Sequence, residues 1–183
     1  MESYIELKLN PDIEMPLNDL MNRVYSKLHK SLYDLTSCNV GVSFPAYRVT
    51  LGNIIRLHST DDELENFKNK KWLGGMHGYC DMSDILAVPT DTQFRIVSRV
   101  QVNMSHSKLN RLIKRGSIPE DEIKNYKAKV FTKGLDNPYV EITSTSNGNK
   151  YRRFICFSEL MDSPIAGDFD HFGLSKSASI PWF

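Results

Sequence analysis

Long apolar runs are missing from this sequence. Nowhere does it reach the roughly 18 to 20 apolar residues of a membrane-crossing helix, so no membrane partner is expected. The opening stretch MESYIELKLN has no basic segment followed by an apolar one and is not read as a secretory signal. Cysteine is scarce: Cys38, Cys80 and Cys156 are odd in number and far apart, with no pair at metal-ligand spacing. Reduced thiols in a cytoplasmic protein are the expectation. Clustered acids at metal spacing are absent, and neither GxxxxGK(S/T) nor GxSxG occurs, so a phosphate-binding loop and a nucleophile elbow are not expected. His77 and Cys80 lie three apart, but Gly74, Gly75 and Gly78 make that stretch a loop with no second ligand pair. No metal and no other cofactor are expected.

One absence is local. Between Thr92 and Pro119 there is no Asp or Glu, while the stretch carries Arg95, Arg99, Lys108, Arg111, Lys114 and Arg115. The net charge of +1 hides this segregation, because acids gather elsewhere, as in Asp61-Asp62-Glu63 and Glu120-Asp121-Glu122. Basic charge without interleaved acid is the footprint of a polyanion partner. A solvated surface helix is the bland alternative, but such helices normally mix signs.

What is present reads as a mixed fold. At 183 residues, 40% apolar and 25% charged, the chain suits one domain or two small ones. YIELKLN alternates as a strand. Leu17, Leu20, Met21, Val24, Leu28 and Leu32 fall at helical spacing and predict an amphipathic helix over 17–34. Strands are predicted at 39–44 (NVGVSF) and 53–58 (NIIRLH). Thr60 and Glu63 read as a capping box opening a helix up to about Trp72, and a fourth strand falls between Tyr79 and Val88. Strand, helix, strand, strand, helix, strand is the split ferredoxin-like (RRM-like) pattern. Pro89 to Thr92 reads as a linker. Beyond it come a strand at 94–102, a short basic helix at 107–115, a weak helix at 120–130, and a hairpin of YVEITST and YRRFICF around Asn147-Gly148. The expected fold class is therefore α+β: a ferredoxin-like domain at 1–90 and an α+β domain at 91–183 with the basic helix.

Several residues invite chemistry. On the basic helix Lys108, Arg111 and Arg115 share one side with Lys114 beside them, suited to a phosphate backbone. Arg99 and Gln101, two apart on a strand, share a face; Arg suits guanine and Gln adenine, although an ordinary edge strand would look alike. Tyr151 is a candidate stacking platform or a core aromatic. The turn STSNGN carries hydroxyls at Ser144, Thr145 and Ser146. Of the five histidines, His29 lies four residues after Tyr25 at the margin of the helix's apolar stripe. There a side chain can reach a cleft and exchange protons near neutral pH; a boundary histidine bonded to backbone is the plainer reading.

Taken together, LMNRVYSKLHKSL, NVGVSFP, LGNIIRLH, RIVSRVQ, TSTSNGNKYRRFI and GLSK followed by PWF resemble one family nearly end to end. It is the CRISPR-associated endoribonuclease of type I-F systems, the Csy-type member of the Cas-six superfamily. The resemblance implies a ferredoxin-like domain joined to an RNA-binding domain, and sequence-specific cutting of precursor CRISPR RNA at the 3′ base of a repeat hairpin. It implies that His29 is the catalytic histidine, Ser144 the active-site serine, and Arg99 and Gln101 the readers of base pairs at the bottom of the stem. Tyr151 matches the aromatic under the terminal base pair, and the 108–115 helix the arginine-rich helix of the major groove.

Two departures stand out: the helix is richer in lysine, which contacts phosphate as a point charge, and Phe172 stands where members can carry a tyrosine. The resemblance also implies retention of the cut hairpin, docking with other subunits of a type I-F surveillance complex, and a monomer when free. In this reading His29 is the general base for attack by the 2′-hydroxyl, giving a 2′,3′-cyclic phosphate and a 5′-hydroxyl. The competing reading is a non-catalytic subunit that only grips an RNA hairpin. The aromatic Ile180 to Phe183 stretch is expected to pack into the fold and hold Gly173 to Lys176 beside the cleft, with Lys176 and nearby backbone N–H groups toward phosphate.

Overall fold

A computed structural model describes residues 1–100, 106–124, 136–143 and 148–183, without the side chains of 106–109. Gln101, Ser144 and Ser146 therefore lie outside the described residues, as does the side chain of Lys108. The described chain forms two compact units, residues 1–99 with 137–183, and residues 100–136.

The first unit is built on an antiparallel sheet. Strand β1 (Ser3–Leu9) alternates buried and less buried residues, as its sequence does. It pairs antiparallel with β3 (Ile54–Ser59), which pairs with β2 (Gly41–Ser43) on its other side. β1 also pairs with β4 (Cys80–Met82) and β5 (Leu86–Ala87), giving the order β2-β3-β1-β4. Helix α1 (Leu17–Leu35) buries Leu20, Met21, Val24, Tyr25, Leu28 and Leu32, the stripe its spacing predicts. With α2 (Asp61–Asn69), which buries Leu64 and Phe67, it shares one core with Ile5, Leu7, Val42 and Leu57.

The capping box at Thr60 does not form. Thr60 holds the N-cap position but makes no side-chain cap bond. The Glu63 carboxylate accepts a hydrogen bond from the Ser37 hydroxyl instead, at 3.3 Å; a tertiary donor has taken the acceptor that the local motif needed. The helix also stops at Asn69, short of Trp72.

The predicted strand at 94–102 is two strands. β6 (Gln93–Arg95) pairs with β10 (Ile180–Trp182), and β7 (Val97–Val100) lies beside β9 (Lys150–Phe157), which pairs with β8 (Tyr139–Thr143). Ser158 makes the change of partner. Its N–H donates to the Ile96 carbonyl and its hydroxyl accepts from the Ile96 N–H, so Ile96 bonds to a loop while its neighbours bond to different strands. Residues 101 and 102 of the prediction lie outside the described ones.

The Ile180–Phe183 stretch packs as expected. Ile180 is buried, and Phe183 meets Tyr4 edge-on at 5.0 Å and lies under the Arg56 guanidinium at 4.3 Å. Gly173 binds this region to the sheet: its carbonyl accepts from the Val42 N–H, its φ is +69°, and an added Cβ would collide with the Val42 side chain. Only glycine fits both demands.

The second unit contains helix α3 (His106–Lys114), within the predicted basic segment. Gly116, at φ +66°, donates to Ile113, and Ser117 donates to Leu112. This is a Schellman stop, with glycine in the left-handed position. Arg111, Lys114 and Arg115 are exposed and Leu112 and Ile113 half-buried, the division that the helical spacing predicts. A 3₁₀ turn at Glu120–Glu122 begins the predicted helix at 120–130; residues 125–130 lie outside the described ones. Among the described residues no helix is long and apolar enough to cross a membrane.

Candidate active site

His29 lies one turn after Tyr25 on α1. Because residues four apart share a helix face, the two point toward one loop, residues 170–174. Tyr25 is fully buried, and its hydroxyl donates to the Phe172 carbonyl at 2.7 Å. Burial pushes that hydroxyl's pKa upward, with Asp170 adding to the shift, so it stays a neutral donor. His29 is half-buried, and its Nδ1 lies 2.9 Å from the His171 carbonyl oxygen. A carbonyl only accepts, so Nδ1 carries the proton and Nε2 holds the lone pair of the neutral ring.

The loop is held by its own first residue. One oxygen of the Asp170 carboxylate accepts from the N–H groups of Phe172 (2.9 Å) and Leu174 (3.0 Å). The Asp170 carbonyl accepts from Gly173, and the Asp170 N–H donates to Leu174. An aspartate bonded to backbone two residues on is a turn that needs no neighbouring strand. It fixes Phe172, whose ring stacks on the His29 imidazole with centroids 3.5 Å apart and 9° between planes. The Arg153 guanidinium carbon lies 3.3 Å from the same ring's centroid.

The His29 pKa is lowered from its ordinary value, chiefly by burial. The bond to the His171 carbonyl and the Asp170 charge oppose that shift, while Arg153 and His171 add to it. The ring is thus neutral at neutral pH, oriented at Nδ1 by backbone and at its face by Phe172, with Nε2 as the basic atom. That is the state of a proton acceptor.

The sequence of residues 4–183 matches the family model described as CRISPR-associated protein (Cas_Csy4). The chain belongs to the Csy4 family. It is 33% identical over 184 residues to the CRISPR-associated endonuclease Cas6/Csy4 of Escherichia coli (strain UTI89 / UPEC), covering 100% of both chains. It is 34% identical over 187 residues to the protein of the same name from Pseudomonas aeruginosa (strain UCBPP-PA14), again covering 100% of both. Like these Csy4 relatives it is an endonuclease. A solved structure described as "An RAMP protein binding different RNA substrates" aligns with 97% of this chain and 99% of its own, at 12% identity and TM-score 0.36, an overlap too loose to compare folds.

The other predicted Csy4 site residues divide by position. Thr143 and Lys150, which flank the turn of Ser144 and Ser146, line an open cleft with Arg23, Ser26 and Lys27 of α1. The two serines themselves are outside the described residues. Arg99 is exposed on β7, and Gln101 is outside the described residues. Tyr151 is exposed on β9 and hydrogen-bonded to Arg153, not filling the core. Arg111, Lys114 and Arg115 belong to the second unit.

Lys176 is exposed, but the expected set of free N–H groups around it is corrected. Those of Phe172 to Leu174 are taken within the loop, that of Ser175 by the Val97 carbonyl, and those of Ser177 and Ala178 by the Ser175 hydroxyl. Those six N–H groups are already taken by the protein itself.

Sequence reasoning passed over Arg153 and Asp170. Each left a signal: Arg153 alternates with Tyr151 and Ile155 on one strand face, and Asp170 precedes Gly173 at the spacing of a self-bonded turn.

Proposed function

We propose that the protein is a metal-independent endoribonuclease that cuts precursor CRISPR RNA at the 3′ base of its repeat hairpin. The observation that carries this is the His29 ring, neutral, half-exposed, bonded through Nδ1 to a backbone carbonyl and stacked on Phe172. In the reaction His29 Nε2 removes the 2′-hydroxyl proton. The 2′ oxygen attacks the adjacent phosphorus, the P–O5′ bond breaks, and the 5′ oxygen takes up a proton from solvent. The products are a 2′,3′-cyclic phosphate and a 5′-hydroxyl. Ser144 fixes the ribose hydroxyl. General base catalysis contributes about 10² to 10⁴ in rate, and orientation supplies more.

Binding is divided by task. Arg99 and Gln101 read base edges at the open end of the stem, where the deep A-form groove becomes accessible. Tyr151, exposed on its strand, stacks under the terminal base pair. Lys108, Arg111, Lys114 and Arg115 track phosphates, with Ser146 and Lys176 at the cleft. Residues 1–90 form a ferredoxin-like half that presents His29, and 91–183 the half that grips RNA, a division by task rather than by packing. The enzyme works in the cytoplasm as a monomer when free, keeps the product hairpin, and docks with other subunits of a type I-F surveillance complex.

The test is incubation with the host's repeat RNA in EDTA. Wild type is expected to cut and to leave a cyclic phosphate end, while His29→Ala binds within a few fold and does not cut. Cutting that stops in EDTA, or survives His29→Ala, overturns the mechanism.

A further inference from the structure

Arg153 has no task in the reading above, yet it is among the most confined charges of the molecule. Its side chain is 7% exposed, and its nearest carboxylate, Asp170, stands 3.6 Å from Nη1, beyond hydrogen-bond range. Its Nε is buried with no hydrogen-bond partner. Tyr151 bonds the side chain, but Arg99 of the neighbouring strand adds a like charge. A buried guanidinium so thinly compensated costs more than an apolar residue of the same size would. The benefit that offsets this lies along the Phe172 ring.

The guanidinium carbon and the imidazole centroid are 3.3 Å and 3.5 Å from the same ring centroid. Two groups at those distances cannot share one face, so they occupy opposite faces. Phe172 is the middle layer of a three-part stack, and the cation stands two stacking distances, about 7 Å, from the imidazole across a water-free spacer. Cation–π attraction holds the ring from behind.

We propose that Arg153 is a positioning residue for cleavage, acting through the Phe172 ring to hold the His29 imidazole flat, with Nε2 as the accepting nitrogen. The proposal rests on His29 being the general base. The charged and titratable groups facing His29 are Arg153 from β9, and Asp170 and His171 from the loop, with Tyr25 one turn back on its own helix. Asp170 favours the imidazolium; Arg153 and His171 disfavour it. Removing the Arg153 charge leaves Asp170 less opposed, so His29 protonates at a higher pH.

The test follows single-turnover cleavage of the repeat hairpin RNA from the neutral plateau down the acid limb. It compares wild type, Arg153→Met and Arg153→Lys, with hairpin affinity and thermal unfolding measured in parallel. Arg153→Met is expected to move the acid limb to higher pH and to lower the plateau about tenfold. Arg153→Lys keeps the wild-type limb, and both bind RNA within about threefold. Should Arg153→Met fail to fold, Arg153→Gln, which keeps a polar group for Tyr151, is expected to show the same limb shift. An unmoved limb in the uncharged variant, or equal rate losses in Met and Lys with both limbs unmoved, overturns the proposal and leaves Arg153 a packing residue. Cutting retained by His29→Ala overturns the general-base assignment and this proposal with it, whereas loss in His29→Ala beside an unmoved Arg153→Met limb overturns this proposal alone.

Discussion

His29 and His58 each sit beside a phenylalanine and an arginine in the first unit, yet they are built for opposite ends. His58, on β3, is fully buried; its Nε2 is bonded to the Ser43 hydroxyl at 2.8 Å, and its Nδ1 has no partner. Tyr4 stacks near it and Phe183 meets it edge-on. Burial drives its pKa down to about 3, so it is a neutral piece of core. His29 keeps the same neutral form but is half-buried and bonded only through Nδ1 to a carbonyl. The neighbours are alike; the difference is that the His58 ring is sealed in the core while the His29 ring is only half-buried. Residue type and an adjacent cation do not make a base. The role proposed for His29 rests on its hydrogen bond at Nδ1 and its partial exposure.

The contrast is broken most directly by removing each ring. His29→Ala is expected to lower the cleavage rate by about 10² to 10⁴ while costing about 1 to 2 kcal/mol of stability for the lost bond and stack. His58→Ala should do the reverse, costing roughly 2 to 4 kcal/mol and keeping the single-turnover rate of whatever remains folded. Urea unfolding and single-turnover cleavage on both variants decide it; comparable stability losses would erase the distinction.

Gly173→Ala strikes the loop to which His29 and Tyr25 both bond. It places a side chain at φ +69° and against Val42, costing about 2 to 3 kcal/mol and slowing cleavage in the same protein. A stable variant with full activity would show that the loop does not set the His29 ring.

Titration sharpens the comparison further. A histidine whose folded pKa lies below its unfolded value of about 6.5 withdraws stability as pH falls through that value, because the unfolded chain binds the proton first. His58, folded at about 3, should therefore remove about 2 kcal/mol between pH 7 and pH 5. His58→Leu should flatten that part of the stability curve, and an unchanged slope would mean that His58 is not the group responsible. The smallest effect is expected from Tyr25→Phe. Losing its bond to the Phe172 carbonyl should cost about 1 to 2 kcal/mol and slow cutting by a few fold, with RNA affinity unaltered.

Most elements of the first sheet were legible because period 2 and period 3.6 are written in residues that are adjacent or nearly so, although the one strand expected between Tyr79 and Val88 is two, β4 and β5. The strand at 3–9 and the helix at 17–35 follow their apolar spacing almost to the residue. His29 was legible as a margin position on that helix, and the role proposed for it came from resemblance. The partner switch at Ile96 was not legible, because an alternating strand reads the same whether it has one partner or two. The capping box failed for a related reason: Ser37 lies 26 positions from Glu63, and local motifs do not announce distant competitors. Arg153 and Asp170 were hidden because a buried charge is explained only by what it stacks on, and Phe172 arrives from another part of the chain.

That distance has a consequence for how the protein comes into being. The His29 ring waits for the His171 carbonyl, 142 positions later, so a ribosome must complete nearly the whole polypeptide before the ring has its orienting partner. Loop closure over such spans is slow compared with helix formation. A nascent chain therefore carries the helix of His29 long before the loop that orients its ring exists, and that setting is completed only after synthesis has passed Gly173, which seats the loop against Val42.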